Sequence, residues 1–139
     1  MKITDLNVDG FGVWRDLSMG DLSDHVTVIY GENEAGKTTL MHFVRAVLYG
    51  FSPGRRERYL PPVHGGRPGG RLSIELPHGR YQIRRTANGS QTGIGAVEVT
   101  SPDGSFQSCH QLATLLGGID EPIFNNVFAV GLNELQQLA

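Results

Sequence analysis

The sequence predicts a mixed α/β domain with α+β character, in which a strand–loop–helix unit is joined to an antiparallel β subdomain. An apolar segment, His25–Tyr30, runs directly into a glycine-rich stretch that residues at helical spacing follow. Short alternating segments come next, so the order is not the simple βαβ alternation of a parallel sheet. Glycine, with 19 of 139 residues, is at about twice its usual share, which indicates tight turns. We expect one domain over residues 1–139, since this length can enclose a core.

The segments before the glycine-rich stretch predict three strands and a loop. Ile3–Val8 alternates apolar and polar residues, as a half-buried strand does. Phe11–Arg15 predicts a second, shorter strand, and Asp16–Asp24 predicts a loop. His25–Tyr30 is more uniformly apolar, which is typical of a buried strand.

The segments after the glycine-rich stretch predict one helix and then a long loop. Apolar residues recur at helical spacing, and Gly50 provides a C-terminal stop. Ser52–Gly70 is rich in proline, glycine and arginine, and we expect a long loop there. The apolar helix positions are Leu40, Phe43, Val44, Val47 and Leu48.

The C-terminal half predicts a β-hairpin, one more strand and several helices. Arg71–Leu76 and Tyr81–Arg85 alternate on either side of a turn at Pro77–Gly79. Val97–Thr100 predicts another strand, which the turn Pro102–Gly104 closes. The predicted helix starts are Ser108, for a helix that runs to Leu116, then Asp120 and Asn133.

The glycine-rich stretch Gly31–Thr39 fits the phosphate-binding pattern G-x-x-x-x-G-K-[ST], and we refer to it as the phosphate-loop motif. Its glycines let successive backbone N–H groups point at an anion, and the positive end of the next helix acts on the same place. Lys37 would reach the β- and γ-phosphates of a nucleotide, and the Thr38 hydroxyl would be a ligand of Mg²⁺. The motif therefore predicts a nucleoside triphosphate site, and a glycine-rich turn that binds nothing is the alternative.

Composition limits the partners and the cellular compartment that the sequence predicts. The formal net charge of −2 gives no general case for nucleic acid binding. The single cysteine, Cys109, excludes an internal disulfide and suits a reducing compartment. Met1–Gly10 has no secretory pattern, and no apolar run is long enough to span a bilayer. We therefore expect a cytoplasmic protein with no membrane partner.

Basic residues are unevenly distributed along the chain. Eight of the 12 are arginines between Arg55 and Arg85, with only Glu57 and Glu75 among them. Such a segment could contact a phosphate backbone. Alternatively, the strand arginines point outward and form a solvated face. The sequence leaves both interpretations open.

Three stretches of the chain resemble one known family: Ile3–Gly12, Val28–Thr39 and Phe124–Gln136. They are similar to the N-terminal lobe of the ATPase head in SMC-type DNA-repair proteins, the group of SbcC, RecN and RecF, and most of all to YhaN-like proteins. The form Tyr-Gly-x-Asn-Glu-Ala-Gly-Lys is more specific than the general phosphate-loop pattern. The likeness extends over the whole chain.

The resemblance implies an ABC-type ATPase head that is split in sequence, with a coiled coil and a C-terminal lobe after this first half. Such heads bind ATP and Mg²⁺, dimerise around the nucleotide, and act on DNA together with a nuclease subunit. This chain would then bind ATP, and would hydrolyse it only when joined to its C-terminal lobe. The nucleotide-binding residues so implied are Gly31, Asn33, Glu34, Ala35, Gly36, Lys37, Thr38 and Thr39, with Thr38 also on Mg²⁺.

This sequence departs from the family pattern at two positions. Leu132 stands where SbcC-type heads have a metal-contacting glutamine, and Gln136 or Gln137 is the candidate to replace it. Gly12 stands where those heads have a phosphate-contacting arginine, and Arg15 is the nearest candidate. No signature-like Leu-Ser-Gly-Gly and no apolar strand ending in Asp-Glu follow the motif. We expect these parts in a longer chain.

Other functions compete with the ATPase interpretation. The lobe could bind nucleotide as an assembly switch without hydrolysing it. A small-molecule kinase could use Arg55, Arg56 and Arg58 as a lid on phosphates, although the strands after the motif argue against it. A GTPase would need Asn-Lys-x-Asp, which the sequence lacks. Three aromatic residues could stack on adenine or belong to the core; they are Phe11, Trp14 and Tyr59.

Overall fold

The computed structural model describes residues 1–32, 36–87, 93–107 and 109–128, and these form one six-stranded sheet with helices. Every pair of neighbouring strands is antiparallel, in the order β2-β1-β3-β4-β5-β6. The strands are β1 (Lys2–Phe11), β2 (Trp14–Met19), β3 (Gly69–Leu76), β4 (Gly79–Thr86), β5 (Ala96–Thr100) and β6 (Phe106–Gln107). The helices are α1 (Lys37–Tyr49), α2 (Pro53–Tyr59), α3 (Cys109–Leu115) and α4 (Glu121–Ile123), with a π-helical segment at Phe124–Phe128.

The hydrophobic core lies between one face of the sheet and α1. Leu6, Leu72 and Ile83 are opposite one another across three strands, and each is at most 4% exposed. Gly70 lets Phe43 of α1 approach the sheet, because a Cβ at this glycine would be 2.7 Å from the Phe43 Cζ atom. Burial of these apolar side chains is the main favourable term in folding, and it fixes α1 against the sheet.

Most of the predicted strands are confirmed. Ile3–Val8 lies within β1, and Val97–Thr100 lies within β5. The predicted hairpin, Arg71–Leu76 with Tyr81–Arg85, is confirmed as β3 and β4. These strands have a local signal, the alternation of apolar and polar residues, and their connections are tight turns.

The second strand begins and ends later than the predicted Phe11–Arg15, so that prediction is wrong for residues 11–13. Phe11 ends β1, Gly12 and Val13 form the turn, and β2 continues as far as Met19. The predicted loop Asp16–Asp24 is therefore wrong for residues 16–19. The reason is pairing: β1 provides partners for Trp14, Arg15 and the residues from Leu17 to Met19, whatever their local propensity.

The predicted buried strand His25–Tyr30 is wrong for this structure. The segment belongs to no strand, and its apolar side chains are exposed, Val26 by 77%, Val28 by 73% and Tyr30 by 90%. An extended segment becomes a strand only beside a hydrogen-bonding partner. In the described sheet the edge strands are β2 and β6, and this segment pairs with neither.

The predicted long loop Ser52–Gly70 contains helix α2, so that prediction is wrong in its first part. The Ser52 hydroxyl accepts a hydrogen bond from the Arg55 N–H at 3.4 Å, and Pro53 occupies the first turn, where its missing N–H costs nothing. Tyr59, at the end of α2, is 7% exposed and belongs to the core. The serine cap and the buried tyrosine therefore outweigh the proline and glycine content.

Helix α1 ends where the sequence predicts. Gly50 has a φ of +103° and donates its N–H to the Ala46 carbonyl at 2.8 Å. Glycine is favoured in such a conformation because it has no Cβ.

The later helices agree with the sequence where the structure describes them. Asp120 caps α4, since its carboxylate accepts from the Ile123 N–H at 3.0 Å. The predicted helix up to Leu116 corresponds to α3, whereas Ser108 and Asn133 lie outside the described residues. Within the described ranges, no helix is long and apolar enough to cross a membrane.

Candidate functional site

The phosphate-loop motif joins α1 at Gly36. This glycine is the N-cap of α1 and has a φ of +88°, in the left-handed region that favours glycine. Within the described residues no side chain caps the helix, since Gly36 itself has none, and the first turn contains no acidic residue. The first N–H groups of α1 therefore remain available to a ligand, and no carboxylate in that turn offsets the positive end of the helix. Asn33, Glu34 and Ala35 lie outside the described residues.

The structure brings Lys37 back over the beginning of the motif. Its Nζ atom donates to the Gly31 carbonyl, and its side chain is half-buried. Thr38 is exposed in the first turn of α1, and Thr39 beside it is half-buried. The ammonium group of Lys37 and the exposed residue Thr38 thus lie at the start of the helix, where N–H groups without intrahelical partners favour an anion.

Sequence reasoning missed one part of this site, the turn between β1 and β2. Trp14 donates from Nε1 to the Gly36 carbonyl at 3.0 Å. Gly12, with a φ of +56°, lies against α1, because a Cβ there would be 2.8 Å from the Thr39 Cγ2 atom. The glycine between two strand-like segments predicts a turn, but nothing local in the sequence indicates what that turn contacts.

Arg15, the candidate phosphate contact, is bonded to another loop. Its Nη1 atom donates to the His64 carbonyl at 3.0 Å, and its Nε atom is 3.4 Å from the Asp16 carboxylate. The side chain is 55% exposed. The position that the family pattern gives to an arginine is occupied here by Gly12, which packs on Thr39. A role for Arg15 on nucleotide stays a prediction.

Two of the three candidate adenine-stacking residues belong to the core. Phe11 is fully buried and Tyr59 is 7% exposed, and their rings stack on each other at 4.7 Å between centroids. Trp14 is half-buried and lies beside the phosphate-loop motif. Of the three, only this indole is adjacent to the motif.

Two of the three arginines of α2, Arg55 and Arg56, are bonded to neighbouring segments. Arg55 donates to the Gly50 carbonyl at 3.2 Å and forms an ion pair with Glu121. Arg56 donates to the Gly93 carbonyl at 2.8 Å. These contacts connect α2 to neighbouring segments, which argues against a phosphate lid formed by Arg55 and Arg56.

Three strand arginines of the basic segment lie on opposite faces of the sheet. Arg84 lies 2.8 Å from Asp9, and Arg71 donates to the Asn7 side chain at 3.1 Å, on the face opposite the core. Arg85, next in sequence, is buried at 3% exposure. Among the described residues, the arginines between 55 and 85 therefore do not make one continuous basic surface.

Comparison with known proteins identifies the protein family of this chain. Residues 1–138 match the family described as AAA domain, and the chain belongs to that family. The membership supports an ATPase-like nucleotide-binding function for a mixed α/β domain of this kind.

The chain is also 30% identical, over 139 residues, to the uncharacterized protein YhaN of Bacillus subtilis (strain 168). The alignment covers 99% of this chain and 14% of that protein, so the chain spans about one seventh of its relative's length. The predicted resemblance to the N-terminal ATPase lobes of SMC- and SbcC-like proteins is confirmed by these two findings.

Proposed function

We propose that this chain is the ATP-binding lobe of an SMC- or SbcC-like ATPase, with Mg-ATP bound at the phosphate-loop motif. The observation that carries the proposal is Gly36, which begins α1 in a left-handed conformation with no side-chain cap, while Lys37 closes on the Gly31 carbonyl at the same helix end. An anion at this place would satisfy the N–H groups of the first turn and be neutralised by the lysine.

The residues that would hold the nucleotide are those of the motif. We assign the triphosphate to Lys37 and to the backbone around it, and the magnesium ion to the Thr38 hydroxyl, which is exposed at the helix start. Among the described residues, no group of three acidic, histidine or cysteine side chains could hold a metal by itself. The ion would therefore depend on Thr38 and on the nucleotide's own phosphates, with Gln136, outside the described residues, as a further candidate ligand. The full set comprises Gly31, Asn33, Glu34, Ala35, Gly36, Lys37, Thr38 and Thr39, together with Arg15.

We further propose that residues 1–139 are one lobe, and that a second lobe supplies the strands beside the segment before the motif. The segment before the motif is apolar at consecutive positions, yet Val28 is 73% and Ile29 45% exposed. Strands that are apolar on both faces are typical of the interior of a parallel sheet. Pairing with strands of a C-terminal lobe would bury this segment and hold Tyr30, directly before the motif, in place.

In this proposal, ATP hydrolysis, head dimerisation and action on DNA are properties of the assembled protein. In-line attack on the γ-phosphate needs a group that orients water, and the first turn of α1 carries no acidic residue to do so. We therefore propose that the chain alone binds ATP without turning it over, and that the second lobe supplies the missing carboxylates. Head dimerisation around ATP, contact with DNA and a nuclease partner follow from the family resemblance.

Calorimetric titration of the chain with Mg-ATP and Mg-GTP tests the proposal. The Lys37→Ala variant should lose at least about tenfold in affinity for ATP, the loss expected when a charge-assisted hydrogen bond is removed. Lys2→Ala is the matched control, because Lys2 is the other lysine of the chain and its ammonium only pairs with Asp24 at 3.4 Å on the surface.

Two results would contradict the proposed nucleotide site. One is equal ATP affinity in the Lys37→Ala variant and the wild type. The other is no ATP binding by the chain when it is joined to its second lobe. Phosphate release measured on the same joined protein separates an ATPase from a nucleotide-binding switch.

A further inference from the structure

We propose that Trp14 is a positioning residue for the phosphate-loop motif: its indole N–H sets the direction of the peptide group that begins α1. The inference rests on the proposed nucleotide site, since it concerns how that site is held open for phosphate. Trp14 is on β2 and is separated from Gly36 by 22 positions in sequence, yet the two are hydrogen-bonded at 3.0 Å.

The Gly36 carbonyl accepts two hydrogen bonds. One comes from Trp14 Nε1 at 3.0 Å, and the other from the Leu40 N–H at 3.1 Å within α1. A carbonyl oxygen has two lone pairs, so both acceptor places of this oxygen are filled. Its orientation is therefore fixed from two sides, by the helix and by the sheet.

Fixing this carbonyl also fixes the N–H of Lys37. In a trans peptide the C=O and the following N–H point in opposite directions. With the Gly36 oxygen directed into the helix and towards Trp14, the Lys37 N–H must point out of the helix end. This is the direction from which an anion approaches the first turn of α1.

The turn that carries Trp14 is itself held on both sides. Gly12 donates its N–H to the Tyr59 carbonyl at 2.9 Å, and its own carbonyl accepts from the Val63 N–H at 2.8 Å. A Cβ at Gly36 would be 2.8 Å from both Trp14 Nε1 and Val13 Cγ2. The turn is thus anchored to the chain after α2 and packed closely against the last glycine of the motif. The turn therefore connects the sheet to the motif.

The alternative is that Trp14 only fills space at the edge of the core. A space-filling indole would affect overall stability and would not need its N–H. The two roles can be separated with Trp14→Phe, which keeps an aromatic ring and removes the donor. Because the chain has one tryptophan, biosynthetic replacement by benzothienylalanine, which has the indole's shape without the N–H, provides a second variant if Trp14→Phe folds poorly.

The experiment measures hydrogen exchange of the Leu40 amide, which donates to the Gly36 carbonyl, in the nucleotide-free chain, together with the ATP dissociation constant. We expect the Leu40 amide to exchange about two- to tenfold faster in both variants, because the carbonyl that accepts from it is held less firmly, with ATP affinity weaker by a similar factor. Ser18→Ala is the control, since it removes another β2 hydrogen bond, from Asn7 Nδ2 to Ser18 Oγ at 2.8 Å. Ser18→Ala should change neither the amide exchange rate nor the ATP dissociation constant.

The outcomes distinguish this inference from the proposed function. Unchanged exchange of the Leu40 amide in both variants overturns the positioning role, and so does faster exchange with unchanged ATP affinity. If Lys37→Ala binds ATP as well as the wild type, the nucleotide site itself is refuted, and the exchange measurement still decides whether Trp14 orders the start of α1.

Discussion

Arg85 of β4 donates from Nε to the carbonyl of Val47, in the last turn of α1, at 2.8 Å. Its Nη2 atom lies 3.4 Å from the Leu48 carbonyl, and its Nη1 atom 3.4 Å from the Gly95 carbonyl. A cation at the C-terminal end of a helix interacts favourably with the helix dipole. The interpretation that the strand arginines point outward is therefore wrong for Arg85, which joins the sheet to the end of the helix that begins at the motif.

Arg85→Met should lower the free energy of unfolding by about 2–4 kcal/mol, because buried carbonyls would lose their charged donor. Urea denaturation measures the change. Arg84→Met is the matched control, since Arg84 is next in sequence and points to the other face, where it pairs with Asp9 and both side chains are about one third exposed. An exposed pair of this kind contributes no more than about 1 kcal/mol. Equal losses in the two variants would refute the proposed bridge between β4 and α1.

Gly36→Ala should destabilise the start of α1 by about 1–3 kcal/mol, because an L side chain is strained at positive φ. The new Cβ would also meet Trp14 Nε1 at 2.8 Å. Gly54→Ala in α2 is the control, because a Cβ at Gly54 would have no heavy atom within 4 Å. It should stabilise the chain by about 0.4–1 kcal/mol. Thermal unfolding of both variants checks the opposite signs, and a stabilised Gly36→Ala variant would contradict the structure.

Val28→Ala should change the free energy of unfolding of the chain by less than about 0.5 kcal/mol, because Val28 is exposed here. The same substitution at Val47, which is fully buried in α1, should cost about 2 kcal/mol from the apolar groups removed. Denaturant unfolding of the two variants makes the comparison. A large loss at Val28 would show that His25–Tyr30 is packed within this chain after all. In the joined protein, Val28→Ala should instead weaken association with the second lobe.

The phenol of Tyr49 gives the structure a pH dependence in alkaline solution. Burial raises the pKa of Tyr49 above its ordinary value of 10.0, and the nearby carboxylates of Glu121 and Asp120 raise it further. The neutral phenol donates to the Ile119 carbonyl at 3.0 Å. In the unfolded chain the phenol ionises first, so its contribution to stability is complete below pH 10.0 and is lost as pH rises through the folded-state pKa.

Urea midpoints between about pH 9 and about pH 11, a range that brackets tyrosine ionisation, measure this effect. The midpoint of the wild type should fall more steeply with pH than that of Tyr49→Phe. Tyr30→Phe is the control, since Tyr30 is 90% exposed, and it should follow the wild type. Parallel curves for the wild type and Tyr49→Phe would show that Tyr49 does not keep its proton preferentially in the folded chain.

The sequence predicts the phosphate-loop motif, helix α1 and the hairpin of β3 and β4 because their determinants are local. The motif is a spacing of glycines and a lysine, α1 is an apolar period that ends at Gly50, and the hairpin is an alternation around a turn. Helix α2 was missed although its determinants are local too, since Ser52 before Pro53 is a capping signal. The high proline and glycine content of Ser52–Gly70 is typical of loops, and it masked that signal.

Only the tertiary structure decided which residues that are distant in sequence contact each other. Trp14 contacts Gly36, and Arg85 turns inward to Val47, although local pattern favours neither contact. His25–Tyr30 has the composition of a buried strand, yet it is exposed in this structure. A strand's composition reports the environment that it needs, whereas pairing depends on which partners are beside it. The sequence thus determined the kinds of elements and the chemistry of the motif, and long-range packing determined what holds that motif in place.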